Sequence, residues 1–322
     1  MKTSLKIGGF ALGLAALFGA AFAVGGAVGP SQVSAAETAD HDDPAGQQTA
    51  GSHADQPGAA TAAELPGGLL SAQDGYTLKL GARVLPAGPQ VPVDFQIIGP
   101  DALPVTDYQV AHDKELHLIV IRRDLTGFQH LHPSRAVDGT WRAPVDLSVA
   151  GAYRVFADFA PAGHDGITLG ADLAVPGSYA PHPLSTESRV AEADGYTVTL
   201  DGELVAGQSS KLVLTVARDG VPVTDLQPYL AAFGHLVALR DGDLAYLHVH
   251  PAGAPGDGVT PAGPGITFYA TIPSAGTYGL FLDFQHDGVV RTAAFTANAQ
   301  PAAVAAATAE PAPGTAEDGH GH

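Results

Sequence analysis

The chain reads as all-β: two tandem β-sandwich units behind an apolar N-terminal run and a polar tether. Three observations carry that reading. Short apolar runs alternate with turn residues, and no helical periodicity appears between residues 72 and 299. Glycine and proline number 40 and 25 among 322 residues, while only 15% of residues are charged, the composition of short strands joined by many turns. The third observation is internal repetition. Asp74-Gly75-Tyr76-Thr77-Leu78 returns as Asp194-Gly195-Tyr196-Thr197-Val198, and Pro104-Val105-Thr106-Asp107 returns as Pro222-Val223-Thr224-Asp225. Ala150-Gly151-Ala152-Tyr153 returns as Ala275-Gly276-Thr277-Tyr278. Each unit is roughly 105 residues, room for about seven short strands and hence one sandwich.

In chain order, Lys2 and Lys6 precede an uncharged apolar run from Ile7 to Val28. A basic start followed by such a run is an export signature, with cleavage sites after Ala23 or near Ala35 and Ala36. At about 1.5 Å per residue the run is also long enough to cross a bilayer core of about 30 Å. Residues 1–28 are therefore a signal peptide or a membrane anchor. Either one places the rest of the chain outside the cytoplasm, secreted or anchored to the plasma membrane, touching the membrane only through residues 7–28. Residues 29–71 form an acidic disordered linker that carries His41 and His53. Unit one spans 72–177, with strands expected at 76–80, 91–98, 116–122, 128–132, 153–159 and 168–174. A Pro-containing linker at 178–190 leads to unit two at 191–299. Residues 300–322 are an Ala/Pro-rich disordered tail ending in His320-Gly321-His322.

The functional signal lies in a repeated histidine pattern. Glu115 to Pro133 reads ELHLIVIRRDLTGFQHLHP, and Phe233 to Pro251 reads FGHLVALRDGDLAYLHVHP. His117 precedes His130 by 13 residues, as His235 precedes His248, and His132 and His250 each follow two later. Residues two apart on a strand share a face. Asp241-Gly242 marks a hairpin. A two-residue loop pairs His235 with His248, and a four-residue loop pairs it with His250. Both registers put the opening histidine on the face of the other two, whereas a three-residue loop would not. Cross-strand Cβ atoms lie roughly 5 Å apart, so three imidazoles per unit can meet at one ion. Copper(II) and zinc suit such nitrogen sites. The competing reading is a polar strand end whose imidazoles bond the backbone, with proline stopping the ladder.

Composition narrows the chemistry. The chain has no cysteine, and Met1 is its only methionine, so blue-copper and thioether copper(I) sites are excluded. A net charge of -18 argues against nucleic acid as a partner. No G-x-S-x-G, phosphate-binding or dinucleotide motif is present, so the sequence assigns no catalytic residue. Asp158 and Asp283 stand on apolar strands, where a carboxylate is costly unless paired or ligated. They are candidates to orient a ligand histidine, with a pairing to Arg154 as the alternative for Asp158. His164-Asp165-Gly166 and His286-Asp287-Gly288 follow these strands, as turns or as further residues around the metal. His112 has no counterpart, since Leu230 occupies its place, and it is either an edge residue or an extra ligand.

Pro104-Val105-Thr106-Asp107, the His117-Leu118-Ile119-Val120 strand, Phe128-Gln129-His130-Leu131-His132-Pro133 and Tyr153 to Phe159 resemble a group of uncharacterised exported or membrane-anchored actinobacterial proteins. Members are often labelled only as secreted or heavy-metal-binding. The single units are similar, more loosely, to YtkA-like domains. The resemblance implies an immunoglobulin-like or cupredoxin-like fold and an envelope location, and carries no activity. The residues and the resemblance together lead to two expectations. The first is an extracytoplasmic copper(II) or zinc chaperone, buffer or sensor with one three-His site per unit, working with another envelope protein or a metal transporter. The alternative is a structural or interaction module without metal. Because histidine ligands must be neutral, affinity is expected to fall below about pH 6.5.

Overall fold

A computed structural model describes residues 65–184 and 186–302. The apolar run 7–28, most of the tether, and the tail beyond 302, with their four histidines, lie outside the described residues. Unit one contains β1 (Ala72–Gln73), β2 (Tyr76–Leu80), β3 (Val91–Ile98), β4 (Tyr108–Gln109) and β5 (Leu116–Arg122). It continues with β6 (Gln129–Leu131), β7 (Ser134–Arg135), β8 (Trp141–Val145), β9 (Gly151–Pro161) and β10 (Ile167–Val175). Unit two contains β11 (Val190–Ala193), β12 (Tyr196–Asp201), β13 (Leu204–Val205), β14 (Ser209–Arg218) and β15 (Val221–Pro222). It ends with β16 (His235–Arg240), β17 (Tyr246–Val249), β18 (Gly265–Thr271), β19 (Gly276–His286) and β20 (Val289–Gln300). The described residues contain no α-helix, and so none long and apolar enough to cross a membrane.

Each unit is an immunoglobulin-like sandwich of two sheets. In unit one the order β1-β2-β3-β8-β7 faces β10-β9-β5-β6, with β4 beside β9. In unit two β11-β12-β14-β15, with β18 on β14, faces β13-β20-β19-β16-β17. Alternating side chains fill each interior: Phe95, Ile97, Trp141 and Leu169 in unit one, and Tyr196, Phe268, Tyr278 and Phe284 in unit two. Strand β8 is one the sequence did not lead us to expect. Pro144 disguises its alternation, yet Trp141, Ala143 and Val145 point inward while Pro144 faces out opposite Pro92.

The central strands β5 and β16, with the middle of their neighbours β9 and β19, are buried on both faces. Leu116, Leu118 and Val120 enter their own sandwich core. Ile119 and Ile121 point the other way, into a third apolar cluster with Phe156, Val237, Leu239, Tyr246 and Phe281. This cluster joins the β5–β9 sheet of unit one to the β16–β19 sheet of unit two. Phe128 stacks on Phe281 at 4.3 Å and Phe156 on Tyr246 at 5.2 Å. Nine buried apolar side chains, at about 1.5–3 kcal/mol each before ordering costs, make a packed joint rather than a hinge.

The last residues of the expected linker are part of this joint. Gly67 accepts the Tyr246 N–H, and the Gly68 N–H donates to Thr168, so one short segment covers an edge of each sheet. Gly68 has φ +73°, and a Cβ there would meet the Phe156 ring at 2.5 Å, so only glycine fits.

Candidate metal centre

Strand register builds the same row twice. Thr168 on β10, Asp158 on β9 and His117 on β5 lie side by side across unit one. Thr292 on β20, Asp283 on β19 and His235 on β16 do so in unit two. The β5–β6 register sets His130 opposite Ile119, and continued by one pair it sets His132 opposite His117. His248 lies opposite Val237 in the same way. Of the two hairpin registers open in the sequence, the four-residue loop Asp241 to Leu244 is the one formed, with Leu244 at φ +60° and buried. Opposed residues share a face, so each trio projects from the sheet face that meets the other sandwich.

The two rows exchange partners across the joint. His130 Nδ1 of unit one bonds Asp283 Oδ2 of unit two at 2.8 Å, and His248 Nδ1 of unit two bonds Asp158 Oδ2 of unit one at 2.9 Å. The first pair is deeply buried, with side chains 2% and 4% exposed. Each carboxylate is held on its other side. Thr292 Oγ1 donates to Asp283, and Thr168 Oγ1 and the Tyr246 hydroxyl donate to Asp158. Burial opposes ionisation of Asp158, but the hydrogen bond from His248 and the neighbouring imidazoles keep the carboxyl below the usual range. Tyr246 is pushed well above 10 by burial and by Asp158, so it remains a donor.

These partners fix the tautomers. His117 Nε2 lies 3.1 Å from the Ala111 carbonyl, which can only accept, so Nε2 carries the proton and Nδ1 a lone pair. In neutral His130, bonding of Nδ1–H to Asp283 leaves the lone pair on Nε2. Those two lone-pair nitrogens stand 3.1 Å apart, and His132 Nε2 is 3.3 Å from His117 Nδ1. Two lone pairs that close repel unless a proton or a metal ion lies between them. Two imidazoles about 2.0 Å from one tetrahedral zinc have their nitrogens about 3.3 Å apart. Among the described residues, these three form the set whose ligand atoms gather within 4.8 Å.

In unit two the equivalent atoms are present but spread wider. His235 Nε2–H donates to the Tyr229 carbonyl at 2.9 Å, matching Ala111 in unit one. His235 Nδ1 and His248 Nε2 are buried with no hydrogen-bond partner. The His235 and His248 rings are 6.1 Å apart, against 5.3 Å for His117 and His130. His250 stacks on His248 at 25° instead of turning its edge inward. His112 reaches across from unit one to within 5.4 Å of the His235 ring.

Burial, with the neighbouring His130 ring, holds His117 down at about 4. Burial, with His130 and His117, holds His132 at about 3. Burial holds His235 at about 3, against the Tyr229 carbonyl. The expected loss of neutral ligands near pH 6.5 is thereby corrected for these three rings, which stay neutral well below it.

All six histidines of the two trios, with Asp158 and Asp283, come to one place. The trio of unit one gathers as expected and that of unit two is spread wider, and the two meet in a single cluster between the units, because the histidine face is the outer face of each central sheet. Asp158 does not pair with Arg154, which instead bonds Asp172 and the carbonyls of Gly68, Leu69 and Gly170. His164 and His286 are not brought to the cluster. His164 lies on an exposed loop against Tyr76, and His286 bonds Tyr196 and Asp225 inside unit two. Asp287-Gly288 is a two-residue hairpin turn with both φ positive. Thr168, Thr292, Tyr229 and Tyr246 were missed. The threonines are hidden because the β9–β10 and β19–β20 connections differ in length, which shifts them out of the linear repeat.

The family model described as Domain of unknown function (DUF8832) matches twice, at residues 71–175 and 191–301. The chain belongs to this family. Each DUF8832 copy contributes one histidine trio and one aspartate to the shared cluster. No curated protein matches the chain. Among solved structures it is similar to the Escherichia coli adhesin FdeC, at 13% identity and TM-score 0.24, over 71% of this chain and 65% of that one. A tetra-tandem repeat from the extending region of a large adhesion protein aligns at 13% identity and TM-score 0.23, over 70% and 49%. A chimeric titin Z1Z2 tandem aligns at 14% identity and TM-score 0.19, over 70% and 100%.

Proposed function

We propose that the protein binds a divalent transition-metal ion, copper(II) or zinc, through His117 Nδ1, His130 Nε2 and His132 Nε2, and serves outside the cytoplasm as a metal buffer, chaperone or sensor. The observation that carries this reading is the convergence of three nitrogens, two of them with lone pairs aimed at each other at 3.1 Å. A proton can bridge two such nitrogens. It cannot serve a third, whereas a metal ion takes all three and leaves a position open. Asp283 supplies the carboxylate that orients a ligand histidine and raises its basicity. The basic start and the apolar run 7–28 support the location, and exchange with another envelope protein or a transporter would be the role of the open position.

The test uses the full chain with His41, His53, His320 and His322 replaced by Gln, dialysed against zinc or copper(II). At least one ion per chain is expected to remain, and His132→Ala is expected to lose one. Retention of no ion by the parent protein would sink the reading.

A second reading rests on the crossed pairs His130–Asp283 and His248–Asp158. These alone could lock the sandwiches into a rigid envelope module with no metal. It predicts an unchanged melting temperature in either ion.

A further inference from the structure

We propose a second ion position beside the first, held by His235 Nδ1 and His248 Nε2 of unit two and by His112 of unit one. The inference rests on the metal reading above but on different atoms. His235 is 1% exposed, yet its Nδ1 has no partner, and neither has the buried Nε2 of His248. Buried polar atoms in folded proteins are nearly always paired, and two unpaired ones on rings 6.1 Å apart call for an occupant. The tautomers are set as in the first site. The Tyr229 carbonyl takes the His235 Nε2–H, which leaves a lone pair on His235 Nδ1, and with Asp158 taking the His248 Nδ1–H a neutral His248 presents a second on Nε2. A cation that prefers nitrogen is what they would accept, again zinc or copper(II).

The third ligand is where the two units part. His250 stands in the sequence position of His132 but stacks flat on His248 and on His112, at 5.0 and 4.8 Å. A stacked ring offers its face, not a nitrogen. His112 lies edge-on to His235, at 81° and 5.4 Å, and is 5.9 Å from His248. Rings sharing one tetrahedral ion have centroids about 5 Å apart, so a small closing movement completes the set. The backbone supports this assignment. His112 and Leu230, its counterpart in unit two, share the same left-handed turn, at φ +50° and +52°. The turn is common to both units, and only the copy in unit one carries an imidazole into the cluster. A cleft of about 360 Å³, lined by His112, His117, Asp158, His248 and His250, leads to this position. Rings of the two sites touch, His117 lying 5.6 Å from His248, so the ions would form one two-ion centre with unequal ligand sets.

The experiment counts ions in the full chain lacking the four tail histidines, by elemental analysis after dialysis against zinc, and by electron paramagnetic resonance after copper(II). Two ions per chain are expected, with the copper signal weakened by coupling. His112→Leu, which copies the residue that unit two tolerates in this turn, is expected to leave one uncoupled ion. His132→Ala is expected to leave the other. A parent holding one ion, lost in His132→Ala and kept in His112→Leu, overturns the second site while the first stands. No ion at all overturns both. Two ions retained in His112→Leu but one lost in His250→Ala would reject His112 as the ligand.

Discussion

His130 and His132 differ by two residues and share a face, yet their replacement should have different consequences. His130 is paired with Asp283 in a site where both side chains are almost fully covered. Removing the imidazole strands a buried carboxylate, a loss of about 3–5 kcal/mol. His132 has no such partner, so His132→Ala should cost about 1 kcal/mol or less in the metal-free protein while losing an ion. Chemical denaturation of both variants separates the two effects. Protonation gives a second prediction. With His117 held at about 4 and His132 and His235 at about 3, against about 6.5 when unfolded, the unfolded chain takes up protons first as pH falls. Stability from these rings is therefore complete above pH 6.5 and is lost as pH falls from 6.5 through 4 to 3. For His117 alone the difference is roughly 3 kcal/mol. Melting temperature of the metal-free protein should decline across that window; a flat profile would contradict the burial of neutral rings.

At the scale of the strands, the crossing of partners has a testable consequence: Asp158→Asn should perturb His248 in unit two more than His117 on the neighbouring strand of its own sheet. Histidine NMR signals would report it. Gly68→Ala should destabilise by at least 1 kcal/mol, since a methyl must enter the Phe156 ring from a left-handed backbone. Much of this was legible in the sequence. Period-two spacing put His130, His132 and His117 on one face, and the apolar runs of β5 and β16 were plain. That those runs carry apolar side chains on both faces, Ile119 and Ile121 as well as Leu118 and Val120, was the available sign that a second layer covers the histidines. Which layer does so was not legible. A strand's parity identifies a face but not its neighbour, so the link from His130 to Asp283, 153 residues away, had no local signal. His112 was visible as unmatched, but its placement depends on two consecutive left-handed residues, His112 and Asp113, that no alternation pattern encodes.

For the whole molecule, duplication followed by face-to-face packing has turned two similar halves into one centre. Each half supplies an aspartate to a histidine of the other, so neither histidine group has its full set of partners without both sandwiches. Apolar packing and metal binding should then be coupled. Phe281→Ala removes the stack on Phe128 and should cost about 3–5 kcal/mol. It should also weaken the metal-dependent rise in melting temperature, which for the parent protein corresponds to about 2.7 kcal/mol at a hundredfold excess of free ion over the dissociation constant. Loss of stability with an unchanged metal response would mean that the joint and the cluster act separately.

The most direct measurement is an anomalous-difference map from crystals equilibrated with zinc, recorded on both sides of the metal edge. The strongest peak is expected about 2.0 Å from His117 Nδ1, His130 Nε2 and His132 Nε2 together. A map with no peak among those nitrogens, or with zinc only at surface carboxylates, would contradict the account.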